Sequence, residues 1–417
     1  ALADGRSQWI TGAAARQDGH QWRARACAIL TGIGTVRDDD PQLNVRDIDT
    51  PRQPLRVVID SRLETPLQAR ILQGSKTLLL SAIDDPAREA AYAVRGVEVA
   101  SADASFRRYF RVHLRDGATL IVMDAPPAQE DIGPYLHVGA LLAQTGVHVP
   151  AVHAVDRERG FVLLEDLGTT SYLSALQDAG LADSLYGDAL QALASLQVRG
   201  RPLQHELSPY DEAALRRELV LMPEWFCARH LQRPVSEAES ELFEATFRFL
   251  VAEALQQPQV FVHRDYHSRN LMVLPAHGPG VIDFQDALAG PMGYDLASIF
   301  KDCYIRWPRE RVEAWVLAHR QALRRQGAST LAGASDAEFL RWFDLVSVQR
   351  HIKILGIFAR LWWRDGKSGY LADLPLTVEY LQDSCRRYAE LAALGQWLEQ
   401  VLPQLAAAHT RALAGRS

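Results

Sequence analysis

Cysteine is scarce in this chain, four among 417 residues, and Cys27, Cys227, Cys303 and Cys385 stand apart, with no C-x-x-C and no histidine at zinc-ligand spacing. That isolation argues against a disulfide framework or a cysteine zinc site and reads as reduced core thiols. Long runs of Lys or Arg are missing too, and the formal net charge is -6. Nothing in this balance favours nucleic acid or an anionic membrane surface, which leaves a small molecule as the expected partner. No apolar stretch approaches the roughly 20 residues of a transmembrane helix. The opening Ala1-Leu2-Ala3-Asp4-Gly5 has neither a basic segment nor an apolar run, so the cytoplasm is the expected compartment.

What is present supports several cores. An apolar share of 48% over 417 residues predicts two or three domains. The character of the chain changes near residue 100. Before it, expected strands at 28–31, 55–60, 76–81 and 97–100 alternate with expected helices at 13–26 and 86–95, the pattern of a parallel α/β sheet. Gly32-Ile33-Gly34 lacks the third glycine of a phosphate cradle and reads as a strand-end turn. After Ser101 come two strands, a helix and another strand, then long amphipathic helices.

One segment carries the chemistry. His263-Arg264-Asp265-Tyr266-His267-Ser268-Arg269-Asn270 matches the H-R-D-x-x-x-x-N loop of kinases, and Val281-Ile282-Asp283-Phe284 follows after a turn rich in Pro and Gly. Phosphoryl transfer needs a carboxylate beside the acceptor hydroxyl and oxygen ligands for the metal on the nucleotide phosphates. Asp265 is the expected base, with Asn270 and Asp283 as ligands of Mg2+. Strands at 271–274 and 281–284 would form a hairpin returning Asp283 to Asn270. His263 reads as a scaffold, and Gln285, Asp286 and Arg264 are candidate acceptor contacts. Asp295 opens a helix, where it caps that helix or braces the loop.

Upstream, 106–113 and 119–124 read as the first strands of a nucleotide lobe. Ser101 and Ser105 bound a loop of small residues without glycine, either a phosphate loop or a plain turn. No lysine lies in 117–125, where kinases place the phosphate-binding one. Arg107, Arg108 and Arg111 are either its replacement or a solvated basic strand. A helix over 129–144 would hold Glu130 in its first turn, suiting the dipole. The strand 161–165 leads into Glu165-Asp166-Leu167-Gly168, the expected hinge whose backbone meets adenine. Farther on, Trp342-Phe343, Leu345-Val346, Ile352, Ile354-Leu355 and Phe358 repeat as a buried helical face, with Trp362-Trp363 extending it.

From Ser101 onward these motifs, together with 101–112, 122–127 and 163–168, resemble the aminoglycoside-phosphotransferase-like sugar kinases. Within that family the resemblance is to the kinases of the anomeric hydroxyl of N-acetylmuramate and N-acetylglucosamine in bacterial cell-wall recycling. It implies ATP and Mg2+, an amino-sugar acceptor, a nucleotide lobe over 101–167 and a helical lobe over 168–417. Kinases of choline or aminoglycoside type are alternatives, and a pseudokinase or scaffold is another, which Asp265, Asn270 and Asp283 oppose.

Residues 1–100 resemble a different family, the reductase of riboflavin biosynthesis. The likeness rests on Ser7-Gln8-Trp9-Ile10-Thr11-Gly12, 23–32, Gly34-Thr35-Val36, Asp39-Asp40-Pro41, Leu43, Arg46 and 56–61. It implies that Trp9, Thr35, Asp39 and Ser61 would touch NADPH, while Ser7, Arg23, Leu43 and Arg46 would hold the substrate. The family's opening strand and second half are missing from the match. A half-sheet cannot complete a dinucleotide site, so a structural or vestigial role is expected rather than a riboflavin-pathway reductase. The expected fold is α/β plus α+β: a partial dihydrofolate-reductase-like α/β segment, then a two-lobed protein-kinase-like fold.

Overall fold

The computed structural model describes residues 12–46, 48–50, 52–73, 77–83, 94–102, 106–114, 117–276 and 278–414. The chain divides into two compact units, residues 1–102 with 109–122, and residues 103–108 with 123–417.

In the first unit, β1 (Ala28–Gly32), β2 (Leu55–Ile59) and β3 (Thr77–Leu80) form the expected parallel sheet, with Leu30 opposite Val57 and Val57 opposite Leu78. One face sets Val58 and Leu79 on Val36, Ala69, Ile71 and Leu72. Arg56 shares that face and is buried, which its guanidinium tolerates by donating to the carbonyls of Gln42 at 3.2 Å and Gln73 at 3.1 Å. The helix Ala13–Arg25 forms as expected. The expected helix at 86–95 is corrected at its end: Val94 and Arg95 belong to β4 (Val94–Ala102), while 84–93 lie outside the described residues. Gly32 closes β1 and directly precedes the helix Ile33–Asp39. Next come β5 (Arg108–Leu114) and β6 (Thr119–Asp124), beside β4 in chain order.

In the second unit, the helix expected from 129 begins at Gly133 and runs to Gln144, because the amides of Gln129 and Glu130 turn back onto the Pro126 carbonyl at 2.8 and 3.0 Å. Glu130 therefore caps nothing; its Oε1 accepts the Phe106 amide at 3.0 Å. The next strand, β7 (Val152–Asp156), was not expected from the sequence. None of its residues is buried, so it lacks the alternation that marks a strand, and its antiparallel pairing with β8 (Phe161–Glu165) defines it. Downstream, β9 (Gln259–Val262) pairs antiparallel with β12 (Leu288–Pro291), and β10 (Leu271–Val273) with β11 (Pro279–Val281). Ile282 to Phe284, expected as strand, lie beyond β11.

The helix Asp336–Trp363 runs through the second unit, capped by Ser335 Oγ, which accepts the Glu338 amide at 3.2 Å. Its apolar face is buried as the spacing implied, including Phe343, Leu345, Val346, Ile352, Leu355 and Phe358. Asp344, Ser347, Gln349, Arg350, His351 and Lys353 are buried with it. Buried charges need partners. Asp344 receives Arg309 through two bonds of 2.5 and 2.8 Å, Lys301 Nζ at 2.9 Å and the Tyr388 hydroxyl at 2.8 Å.

Burial disfavours ionising Asp344, but Lys301 and Arg309 outweigh it and hold its carboxyl at about 2. Burial also works against the Lys301 ammonium, so the bidentate Arg309 fork secures the pairing. A folded value below that of the unfolded chain gives stability that is fully present above about pH 4 and lost as pH falls towards 2. Asp344→Ala leaves the buried Lys301 ammonium without its carboxylate, while Arg309 keeps Glu313 at 2.6 Å, and is expected to cost about 3–5 kcal/mol in denaturant unfolding at pH 7. The deficit should shrink on acidification through that window.

Candidate active site

The catalytic-loop sequence is shaped by a buried carboxylate. Asp295 lies in the helix Tyr294–Phe300 and accepts two backbone amides, His263 at 2.8 Å and Arg264 at 3.0 Å. Of the two roles open to it from sequence, it braces the loop. Burial raises its carboxyl to about 7 against the pull of those amides. Arg264 holds φ at +75°, a left-handed conformation that costs a non-glycine residue roughly 1–2 kcal/mol. The Asp295 bonds hold it there. His263 is buried, and burial lowers its imidazole to about 4. The neutral ring has one donor and one acceptor: Nε2 donates to the Ile282 carbonyl at 3.1 Å and Nδ1 accepts the Asp265 amide at 3.3 Å. It is the scaffold the sequence suggested.

Asp265 follows, with 36% of its side chain exposed although protein atoms crowd around it. Burial opposes its ionisation, yet Arg350, Lys353, His267 and Arg264 outweigh that and keep its carboxyl well below the usual range. Arg350 is the nearest of these to its Oδ1, with Nη2 at 3.4 Å and Nη1 at 3.5 Å. The same Nη1 donates to the Arg264 carbonyl at 2.7 Å. One guanidinium thus holds both the carboxylate and the left-handed residue before it. Behind it, Glu218 pairs with Lys353 at 2.9 Å and Arg264 at 2.5 Å, and also accepts the Tyr210 hydroxyl. Lys353 Nζ reaches the Tyr294 hydroxyl at 3.2 Å.

The β10–β11 hairpin performs the expected return. The Ile282 amide donates to the Asn270 carbonyl at 3.0 Å, and the hairpin is anchored where the Val281 amide meets the His148 carbonyl at 2.8 Å. Asp283 is the second left-handed residue of the site, at φ +62°. Phe284, buried beside it, packs its ring 4.8 Å from that of Tyr135. Asn270 Nδ2 donates to the Asp265 carbonyl at 3.0 Å and to Asp283 Oδ2 at 3.3 Å. Both bonds use Nδ2, which leaves the Asn270 amide oxygen as the atom that could serve as a ligand. An amide oxygen and a carboxylate make a hard donor set that fits a divalent cation whose other ligands are phosphate oxygens and water.

The remaining candidates fall in varied places. Arg107 lies 3.8 Å from Asp283 through Nη2, whereas Arg108 is taken by Asp124, and Arg111 stands 3.7 Å from Glu98. Ser101, expected in the loop over the phosphates, lies in β4, and Ser105 is outside the described residues. The Glu165 carboxylate bonds His148 Nε2 at 3.0 and 3.1 Å, and Leu167 is buried. Arg264, a candidate acceptor contact, bonds Glu218 and the Asp286 carbonyl. Gln285 Nε2 donates to Asp283 Oδ1 at 2.8 Å and steadies that carboxylate, while the Asp286 side chain is exposed. In the first unit, Thr35, Asp39 and Ser61 are exposed, Leu43 is left-handed at φ +48°, Arg46 Nη1 bonds Gln42 at 2.5 Å, and Ser7 and Trp9 lie outside the described residues.

Sequence reasoning missed Glu218, Arg350 and Lys353. The available signal was Gln349-Arg350-His351 and Lys353 interrupting the apolar face of the long helix, since charges buried among apolar neighbours imply partners.

Two parts of this chain are similar to different known proteins. The phosphotransferase enzyme family matches residues 96–336, and the RibD C-terminal domain matches 1–116. An N-acetylmuramate/N-acetylglucosamine kinase of Pseudomonas aeruginosa is 48% identical over 73% of this chain and 88% of its own length. A riboflavin biosynthesis protein RibD of Mycobacterium tuberculosis is 47% identical over 21% of this chain, which spans 26% of that protein. In structure, an ethanolamine kinase of Plasmodium vivax shares the fold at a TM-score of 0.50 and 11% identity, over 72% of this chain and 84% of its own. That kinase family implies ATP and a divalent metal. The chain belongs to the phosphotransferase enzyme family.

Proposed function

We propose that this chain transfers the γ-phosphoryl group of ATP to the anomeric hydroxyl of N-acetylmuramate or N-acetylglucosamine. The observation that carries the chemistry is the constellation of Asp265, Asn270 and Asp283, closed by the Asn270–Asp283 bond of 3.3 Å. Support for the acceptor comes from the 48% identity to the Pseudomonas aeruginosa kinase. Asp265 orients the hydroxyl and takes its proton as the sugar oxygen attacks the γ-phosphorus and the bond to ADP breaks. Asn270 and Asp283 hold Mg2+, which when bound neutralises charge on the phosphate oxygens. Arg107, 3.8 Å from Asp283, supplies the cation that kinases otherwise draw from a strand lysine. The backbone of Glu165 to Leu167 meets adenine. A nucleotide lobe over 101–167 and a helical lobe over 168–417 fit this reading.

The segment 1–100 serves structure rather than NADPH-dependent reduction, since Thr35, Asp39 and Ser61, the described residues assigned to the dinucleotide by resemblance, are all exposed. The compartment is the bacterial cytoplasm, where Cys27, Cys227, Cys303 and Cys385, all free, stay reduced. No described helix is long and apolar enough to cross a membrane.

The test of the acceptor is phosphorus NMR of the product with each sugar, beside the 1-O-methyl glycoside of N-acetylglucosamine. Phosphate coupled to the anomeric proton and an inert glycoside are expected; a phosphorylated glycoside would move the acceptor to another hydroxyl. Asp265→Asn is expected to lower kcat by about 10²–10⁴ while ATP affinity stays within a few-fold. Asp283→Asn should raise the Mg2+ concentration for half-maximal turnover, read in a metal titration. Arg107→Gln removes a charged contact worth roughly 1.5–3 kcal/mol and should raise KM for ATP by about ten- to a hundredfold. An unchanged KM would discard that assignment.

A further inference from the structure

We infer that Arg269 is a carboxylate receptor that selects acceptors bearing an acidic arm, such as the lactyl ether of N-acetylmuramate, over neutral N-acetylglucosamine. The inference deepens the proposed function and rests on it. Arg269 sits inside the catalytic loop, four residues after Asp265 and one before Asn270, and is exposed. Its guanidinium carbon lies 3.5 Å from the centroid of the Tyr304 ring. Among the described residues it makes no hydrogen bond and no ion pair, in contrast to Arg264, Arg306, Arg309, Arg320 and Arg350.

Stacking on an aromatic face fixes the plane of a guanidinium without using its N–H donors. What remains is a positioned fork of the geometry that binds a carboxylate through two bonds. The platform is itself built in. The Tyr304 amide donates to Asp302 Oδ1 at 3.1 Å, and Asp302 Oδ2 accepts the Ser268 amide at 3.0 Å, so one carboxylate ties the ring to the loop that carries Arg269. His267 packs its ring edge-on to Tyr304 at 5.5 Å and completes the support. Asp302 is thereby engaged on both oxygens, and Arg269 also acts on Asp373, whose carboxyl burial raises to about 6. No ion pair within 4 Å joins Arg269 to it, although Asp373 Oδ2 is buried without a hydrogen-bond partner, so the N–H donors of the fork carry no bond among the described residues. A solvated arginine would instead leave the selectivity untouched when removed.

The experiment is the ratio of kcat/KM for N-acetylmuramate over N-acetylglucosamine in the wild type, Arg269→Gln and Arg269→Lys. The ratio should fall at least tenfold in the glutamine variant, with lysine between the two. A second measurement leaves the protein intact: the wild type should lose the same preference against the methyl ester of N-acetylmuramate, which keeps the arm but not the charge. An unchanged ratio, an equal loss on both sugars or undiminished use of the ester would overturn the inference. Wild-type protein that phosphorylates neither sugar would instead sink the proposed function, and this inference with it.

Discussion

The arrangement of the site depends on the Arg350 guanidinium, buried and placed between the Asp265 carboxylate and the Arg264 carbonyl. A catalytic carboxylate in a crowded cleft tends to take up a proton, because burial favours the neutral acid. Nearby cations reverse that tendency here. They must in turn be balanced, and Glu218 does so for Lys353 and Arg264. The result is a connected set of charges from the helices Glu212–Leu219, Tyr294–Phe300 and Asp336–Trp363, each buried because the others are. Removing one member leaves its neighbours uncompensated, so the set fixes one geometry for the loop.

The same constraint explains what could be read in the sequence. The catalytic constellation was legible because its members are close in the chain and the hairpin between them follows from Pro and Gly. The charges that hold it were not, since Arg350 is 85 residues from Asp265 and local periodicity carries no information about contacts at that distance. Reading Trp342 to Phe358 as a buried face was sound, but apolar spacing alone hid the polar residues buried on the same helix. Arg264 and Gln285 show what adjacency leaves out. Adjacency to catalytic residues suggested acceptor contact, whereas packing engages them with Glu218 and Asp283. The strand β7 was missed because no burial marks it, and Ile282 to Phe284 leave the strand so that Asp283 can turn left-handed towards Asn270.

In the first unit, local sequence accounts for the strands and for one packed face. The three parallel strands formed where alternation placed them, and one face has a small core around Val58 and Ile71. The other face leaves Leu30 64% exposed and Ile59 48% exposed. Parallel sheets are ordinarily covered on both faces. The residues assigned to a dinucleotide by resemblance, Thr35, Asp39 and Ser61, are exposed.

The central claim is that a buried cation, remote in sequence, positions the catalytic carboxylate. Steady-state kinetics of Arg350→Gln and Arg350→Lys, with ATP affinity measured separately and folding checked by thermal unfolding, test it most directly. The account predicts that glutamine lowers kcat by about ten- to a hundredfold, the loss of a charged hydrogen bond, with ATP affinity kept within a few-fold and part of the rate restored by lysine. A folded glutamine variant with wild-type kcat, or one whose whole deficit lies in ATP binding, would contradict it.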